Sequence, residues 1–244
     1  MDRRKFLKTA AALSACTASA CGLPLLSDCK SNTSEQSVRP LGRKWGMVVD
    51  VNKCLPECNA CLDACRRENN VAYHGDARWD VHRIRKVKIR DRKVPEATKP
   101  VPLMCNHCDH PPCADACPVG ATYKREDGIV VCDPDRCIGC RECMVACPYN
   151  ARHFNFKPNK QSFNPDIAQR SIGVAESCNF CAERLAEGRI PACVEICGRI
   201  DRKALVFGDL NDPESDVATL IRENSVRRLR ESLGTEPNVY YIGL

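Results

Sequence analysis

Sixteen of the twenty cysteines in this 244-residue chain fall into four groups of four, and that grouping limits what the chain can fold into. The first group is Cys54, Cys58, Cys61 and Cys65, with gaps of three, two and three residues. The second is Cys105, Cys108, Cys113 and Cys117, with gaps of two, four and three, followed by Pro118. The third is Cys137, Cys140, Cys143 and Cys147, with gaps of two, two and three, followed by Pro148. The fourth is Cys178, Cys181, Cys193 and Cys197, with gaps of two, eleven and three. Every group closes on the same three-residue gap.

The third spacing is the thiolate run that holds cubane iron–sulfur clusters, and the other three are variants with one gap lengthened. Four [4Fe-4S] clusters are therefore expected. The first three cysteines of each run should wrap one cube on a tight loop whose backbone N–H groups offset the sulfur charge. The fourth should lie at a helix start, facing the partner cube, with proline suiting the opening of that helix. Gly139 and the small residues Ala60, Ala116 and Ala146 leave room for a cube near the backbone.

Two other uses of cysteine compete with this one. Disulfides suit exported proteins, but loops this short make poor disulfide frameworks. Zinc favours Cys-x-x-Cys pairs separated by a longer stretch, which only the fourth group resembles. Cys16, Cys21, Cys29 and Cys132 lie outside the groups, and Cys132 ends the strand-like run Gly128–Cys132, where a packed thiol is the simpler reading.

Composition agrees with a fold held by clusters. Aromatic residues are 5% of the chain, and the 43% hydrophobic fraction counts the cysteines, so the aliphatic supply for a core is thin. The formal charge of +6 counts every cysteine as neutral. A thiolate-bound cubane carries roughly −2, so four of them bring the loaded protein to about −2, and the basic composition is weak evidence for nucleic acid.

The start of the chain reads as an address. Asp2-Arg3-Arg4-Lys5-Phe6-Leu7-Lys8 matches a twin-arginine export motif, and an alanine- and serine-rich stretch follows to Leu26. That route exports folded proteins, as clusters built in the cytoplasm require. Leu13-Ser14-Ala15-Cys16 and Ala18-Ser19-Ala20-Cys21-Gly22 resemble lipidation sites; cleavage and retention as an anchor stay open. Residues 1–26 are thus a signal or anchor segment, 27–43 a linker, 44–210 a cluster domain, and 211–244 a C-terminal helix and tail.

Strand signals lie at Trp45–Val51, Ile84–Ile89 and Gly128–Cys132, and helical signals follow the fourth cysteine of most groups. Helical spacing over Val217, Leu220, Ile221, Val226, Leu229 and Leu233 predicts a docking helix over 217–233, with Arg227, Arg228 and Arg230 on its solvated face. The basic run His82–Arg90 could follow phosphates, but export and an ordinary basic edge strand argue against a nucleic-acid role.

The order of these features is similar to a known family. An export signal, Cys105-Asn106-His107-Cys108-Asp109-His110-Pro111-Pro112-Cys113, the third group running into Cys147-Pro148-Tyr149-Asn150-Ala151-Arg152, and the long-gapped fourth group resemble the four-cluster iron–sulfur subunits of respiratory oxidoreductases. The resemblance runs from about Gly46 to Cys197 and extends to the ending Gly234–Tyr241; Gly198 stands where many members have proline. The nearest type is the DsrO-like subunit of the sulfite-reduction-associated membrane complex.

That resemblance implies an α+β fold of two interleaved bacterial-ferredoxin-like modules, pairing the first group with the fourth and the second with the third. It implies that Cys54, Cys58 and Cys61 share a cube with Cys197, and Cys178, Cys181 and Cys193 with Cys65. Likewise Cys105, Cys108 and Cys113 would share a cube with Cys147, and Cys137, Cys140 and Cys143 with Cys117. The implied partners are an NrfD-like integral membrane quinone-site subunit and a multihaem cytochrome c, on the extracytoplasmic face of the membrane. A molybdopterin catalytic chain is the alternative partner.

The expected role is electron transfer without a catalytic site in this chain. An iron–sulfur hydratase-like enzyme is the rival, but it keeps one iron free of cysteine, whereas all four groups here are complete. Arg136, Arg141, Arg152 and Arg184 lie close to cluster cysteines in sequence and are expected to raise cluster potentials. His107, His110 and His153 also lie near, as interface or packing residues or as proton carriers.

Overall fold

The computed structural model describes residues 42–90 and 98–244. The signal segment, nearly all of the linker, and Cys16, Cys21 and Cys29 lie outside the described residues. The described residues form one compact α+β unit.

The chain enters through β1 (Trp45–Asp50), a 3-10 turn (Val51–Lys53) and α1 (Ala60–Glu68). A ribbon of β2 (Ile84–Arg90) and β3 (Thr98–Met104) leads into α2 (Pro112–Asp115), β4 (Thr122–Lys124) and β5 (Val130–Cys132). Then come α3 (Glu142–Ala146), β6 (His153–Phe154), β7 (Ala175–Glu176), α4 (Ala182–Ala186) and α5 (Ala192–Arg199). The chain ends with β8 (Leu205–Asp209), α6 (Asp216–Glu223), β9 (Val226–Arg228), a 3-10 turn (Glu231–Leu233) and β10 (Val239–Ile242).

Four strands form one sheet in the order β8-β1-β10-β9. β1 pairs antiparallel with β8 and parallel with β10, in the register Met47 opposite Val239 and Val49 opposite Tyr241. Gly46–Val49 are all buried, as a central strand covered on both faces requires. The core joins Met47, Val49, Leu205, Val239 and Tyr241 to Phe180 and to Cys61, Cys65, Cys193 and Cys197. The cysteines stand where a larger aliphatic core would otherwise be. Among the described residues no helix is long and apolar enough to cross a membrane.

The helix expected over 217–233 stops at Glu223. Ser215 caps its start, its side chain accepting from the Ala218 N–H. Beyond Asn224 the chain turns extended, and Val226–Arg228 pair with Tyr240–Ile242 as the edge of the sheet. Sheet pairing satisfies that backbone and overrides the helical spacing of Val226, Leu229 and Leu233. The tail beyond residue 211 is therefore built into the same sheet as β1.

The basic strand β2 is used internally. Arg85 Nη2 donates to the Tyr149 carbonyl at 3.0 Å, and Lys86 Nζ donates to the carbonyls of Leu55, at 3.1 Å, and Cys58. Its cations close loop carbonyls around two of the cysteine groups.

Candidate iron–sulfur sites

The C-x-x-x-C end of each group is a short helix or its immediate exit. Cys61 and Cys65 both lie inside α1, and Cys193 and Cys197 inside α5. Cys113 lies in α2 with Cys117 just past it; Cys143 lies in α3 with Cys147 as its C-cap. The fourth cysteine thus sits within or at the end of a helix, not at a helix start as expected. The reason is the i, i+4 spacing, which puts the last two thiols one turn apart on one helix. Pro118 and Pro148 follow α2 and α3 as stops. At Gly198, where proline would intervene, α5 runs on to Arg199.

Three Cys-x-x-Cys loops share a backbone device. Their third residues, His107, Phe180 and Gly139, have φ of 44°, 51° and 72°. The left-handed conformation turns the loop sharply enough to aim both thiols the same way. A Cβ at Gly139 would lie 2.4 Å from the Gly173 carbonyl oxygen. Glycine is required there by the passing turn at Gly173 as well as by its φ.

The thiols gather in four places. Site A is a cavity lined by Cys54, Cys58, Cys61 and Cys197, with Ala60 in its wall. Site C is lined by Cys105, Cys108, Cys113 and Cys147, and site D by Cys117, Cys137, Cys140 and Cys143. At site B, Asn69 Nδ2 lies 3.8 Å from Cys65 Sγ and 3.6 Å from Cys181 Sγ. Burial raises the Cys193 thiol, and the Cys181, Cys65 and Cys178 thiols beside it push the same way. Each place draws three cysteines from one group and one from another. These are the sets that the family resemblance implies.

Every described cysteine is a free thiol. Among the described residues no three His, Cys, Asp or Glu side chains are arranged to hold a single metal ion.

The polar groups around the sites suit an anionic, sulfide-rich occupant. Burial pushes the Cys61 and Cys65 thiols up to about 12 and Cys105 likewise to about 12, so the free thiols stay protonated; bound iron would deprotonate them outright. Burial also raises Cys117, but the N–H groups of Thr122, Val119, Ala121 and Gly120 outweigh it and hold the thiol below its usual value. The Thr122 N–H donates to Cys117 Sγ at 3.4 Å, the Phe180 N–H to Cys178 Sγ at 3.5 Å, and the Ala204 N–H to Cys197 Sγ at 3.3 Å.

Asn106 gives a sharper test. It lines site C, is 1% exposed, and has no protein partner for Nδ2 or Oδ1. Leaving a buried amide unpaired costs about 1–3 kcal/mol. A sulfide-bearing group in the cavity would accept from Nδ2, so the residues present fit an iron–sulfur cluster.

The four arginines named from sequence separate in the structure. Arg152 is buried, and its Nη2 donates to Cys113 Sγ at 3.3 Å. Arg184 is buried too, but Glu68 at 2.9 Å and Glu195 compensate it. Arg136 is exposed and pairs with Asp133 at 3.5 Å, while Arg141 lies over the rings of Phe154 and Phe156. Sequence reasoning missed Arg83, buried and paired with Glu176 at 3.1 Å across 93 residues. Nothing local marks that pair.

The histidines separate as well. His107 is fully buried, and its Nδ1 accepts from the Val130 N–H at 3.0 Å. Burial, reinforced by the Arg152 charge, pushes its imidazole down to about 3. Burial likewise pushes His153 to about 4, with His82 and Arg85 adding to the effect. Both rings are packed and neutral, which leaves a proton-carrying role without support. His110 is exposed, 3.8 Å from Glu236. Cys132 donates to no cluster cavity; burial pushes its thiol up to about 11, and it packs beside Val130 and Cys143 as a core thiol.

Comparison with known proteins points to iron–sulfur chemistry. Residues 97–209 match the model of the 4Fe-4S dicluster domain. The chain is 41% identical over 272 residues to the Hdr-like menaquinol oxidoreductase iron–sulfur subunit 1 of Archaeoglobus fulgidus, covering 100% of this chain and 98% of that one. It is 38% identical over 229 residues to the menaquinone reductase iron–sulfur cluster-binding subunit of Nitratidesulfovibrio vulgaris, covering 82% and 88%. It is 40% identical over 210 residues to the putative iron–sulfur subunit of the dimethyl sulfoxide reductase of Halobacterium salinarum, covering 81% and 78%.

Proposed function

Because this chain belongs to the iron–sulfur electron-transfer subunits of respiratory oxidoreductases, we propose that it carries four [4Fe-4S] clusters at sites A to D and relays electrons through them. The ligand sets are Cys54, Cys58, Cys61 and Cys197 at A, and Cys65, Cys178, Cys181 and Cys193 at B. They are Cys105, Cys108, Cys113 and Cys147 at C, and Cys117, Cys137, Cys140 and Cys143 at D. In this reading A with B, and C with D, are two interleaved ferredoxin-like modules.

The observation that carries this reading is the contiguity of the four sites. Cys61 of A and Cys65 of B lie one turn apart on α1. Cys178 of B lies near enough to Cys105 of C for the two charges to act on each other, and so do Cys113 of C and Cys143 of D. The order is a row, A-B-C-D. Its ends are the more open: Cys54 and Cys58 are half-buried and Cys140 is exposed, whereas all four thiols of C are buried.

A cubane at each site supplies one-electron storage when bound. The chain does the rest. Its thiols hold the row, its loops keep water from the middle sites, and its N–H groups and Arg152 offset negative charge. No group of this chain is asked to act on a substrate.

The partners we propose are an NrfD-like membrane quinone-site subunit and a multihaem cytochrome c, at the extracytoplasmic face reached through the twin-arginine signal. Two relatives named for menaquinol oxidation and menaquinone reduction support the quinone side. A molybdopterin chain as the second partner is the other reading, favoured by the relative named for dimethyl sulfoxide reduction. The deciding experiment is anaerobic purification from native membranes through a C-terminal tag, with iron and labile sulfide counted on the same sample. About sixteen irons in this chain, with a quinone-site subunit and a multihaem cytochrome, is the expected result. A molybdopterin subunit would replace the cytochrome reading, and few irons would overturn the relay itself.

A further inference from the structure

Asn69 follows α1, and both of its amide atoms are committed. Nδ2 donates to the Cys65 carbonyl at 3.1 Å and faces Cys65 Sγ at 3.8 Å and Cys181 Sγ at 3.6 Å. Oδ1 accepts from Arg83 Nη1 at 2.8 Å. A guanidinium has donors only, so Arg83 decides which way the amide lies: oxygen toward the arginine, N–H toward the thiols. Arg83 is itself fixed. Its Nε donates to Glu176 Oε2 at 3.1 Å, and its Nη1 also reaches Asn179 Oδ1 at 3.3 Å. Asn179 Oδ1 accepts from the Cys181 N–H at 3.1 Å, which closes the network on the same loop. Asn69, Arg83 and Glu176 are all at least 96% buried.

Charge sorts the contributions. Glu176 offsets part of the charge of Arg83, which still favours the Cys65 and Cys181 thiolates. The Asn69 amide N–H groups remain, shared between the Cys65 carbonyl and the two sulfurs. Hydrogen bonds to cluster sulfurs stabilise the more negative, reduced state and raise the potential. The two sulfurs come from different groups, one on α1 and one on the loop before α4.

We infer that Asn69 is a hydrogen-bond donor to the Cys65 and Cys181 thiolates of the site B cluster, that Arg83 is the positioning residue orienting its amide, and that together they raise that cluster's reduction potential. This rests on the reading of site B as a cluster site. Glu176 is the counter-charge that lets a guanidinium be buried there. Arg83, Glu176 and Asn179 help to line a cavity of about 250 Å³.

The test is a redox titration of the holo protein followed by EPR, with iron counted on each sample. Asn69→Ala is expected to lower one midpoint potential of the four, with the reduction equilibrium of that cluster weakened about tenfold, 59 mV for one electron. Asn69→Asp, equal in size but an acceptor, is expected to lower it further. Arg83→Lys keeps the charge and loses the fork, so the same cluster should shift partway. Exchangeable-proton couplings in wild-type protein moved to D2O read the donor directly, so the inference stays testable even where a variant loses the cluster. Full iron with an unmoved potential and no exchangeable coupling would reduce Asn69 to a helix cap. A wild-type protein with far fewer than about sixteen irons would instead overturn the cluster reading.

Discussion

His107 and Phe180 stack with ring centroids 3.7 Å apart, and each is the third residue of a Cys-x-x-Cys loop at positive φ. The stack joins the loop of site C to the loop of site B, where the two proposed modules meet. A left-handed backbone costs a side-chain-bearing residue about 1–2 kcal/mol. The aromatic pair returns about 0.5–1.5 kcal/mol beyond the area it buries. Phe180→Ala keeps the strained backbone and loses the ring, and should cost about 3 kcal/mol. Anaerobic thermal unfolding checks this; an unchanged melting temperature would mean the stack contributes nothing.

Cys65→Ser tests the crossing of ligands. Cys65 belongs to the first group in sequence but lies with Cys178, Cys181 and Cys193 in space. The variant should disturb the site B spectrum and leave site A intact. Loss of the site A signal alone would refute the assignment.

Arg152→Gln removes a buried cation whose Nη2 touches Cys113 Sγ. The site C potential should fall by about 60 mV or more, a tenfold change for one electron. Arg141→Ala, which removes a cation resting on aromatic rings instead of a thiol, should move the site D potential much less. Equal shifts in the two titrations would argue against direct contact as the cause.

Gly139→Ala combines a φ of +72° with a Cβ placed 2.4 Å from the Gly173 carbonyl oxygen. Site D should fail to load while the other three stay filled, giving about twelve irons per chain instead of about sixteen. Full iron content would show that the Gly173 segment can move aside.

Asn238→Ala probes the tail. The Asn238 N–H donates to the Asn106 carbonyl at 2.8 Å, and its Nδ2 to the His107 carbonyl at 2.7 Å. The side-chain bond is buried, so its loss should cost about 1–3 kcal/mol. Proteolysis rates at the tail, together with the site C EPR line shape, read both the loosening and its effect on the loop.

The readable parts of the fold were local. Trp45–Val51, Ile84–Ile89 and Gly128–Cys132 read as strands from short apolar and β-branched runs, and strands lie there. The 217–233 helix failed for the complementary reason: its spacing was helical, but β10 offered residues 226–228 a ladder the local pattern could not register. The fourth cysteines were misplaced at helix starts because a proline can mark a helix end as well as its beginning.

The sequence by itself determined how many cysteines stand in each group and how they are spaced, because the spacing acts within one loop or one helical turn. It also named Arg152 as a neighbour of a cluster cysteine. Only the tertiary structure decided which cations have their field offset by a carboxylate, since Glu68 lies 116 residues from Arg184 and Glu176 lies 93 from Arg83. It also decided that Asn69 turns its amide to two sulfurs, one of them 112 residues away. A buried charge or amide acts through whatever packs against it, and packing partners in this fold are set by the pairing of distant segments.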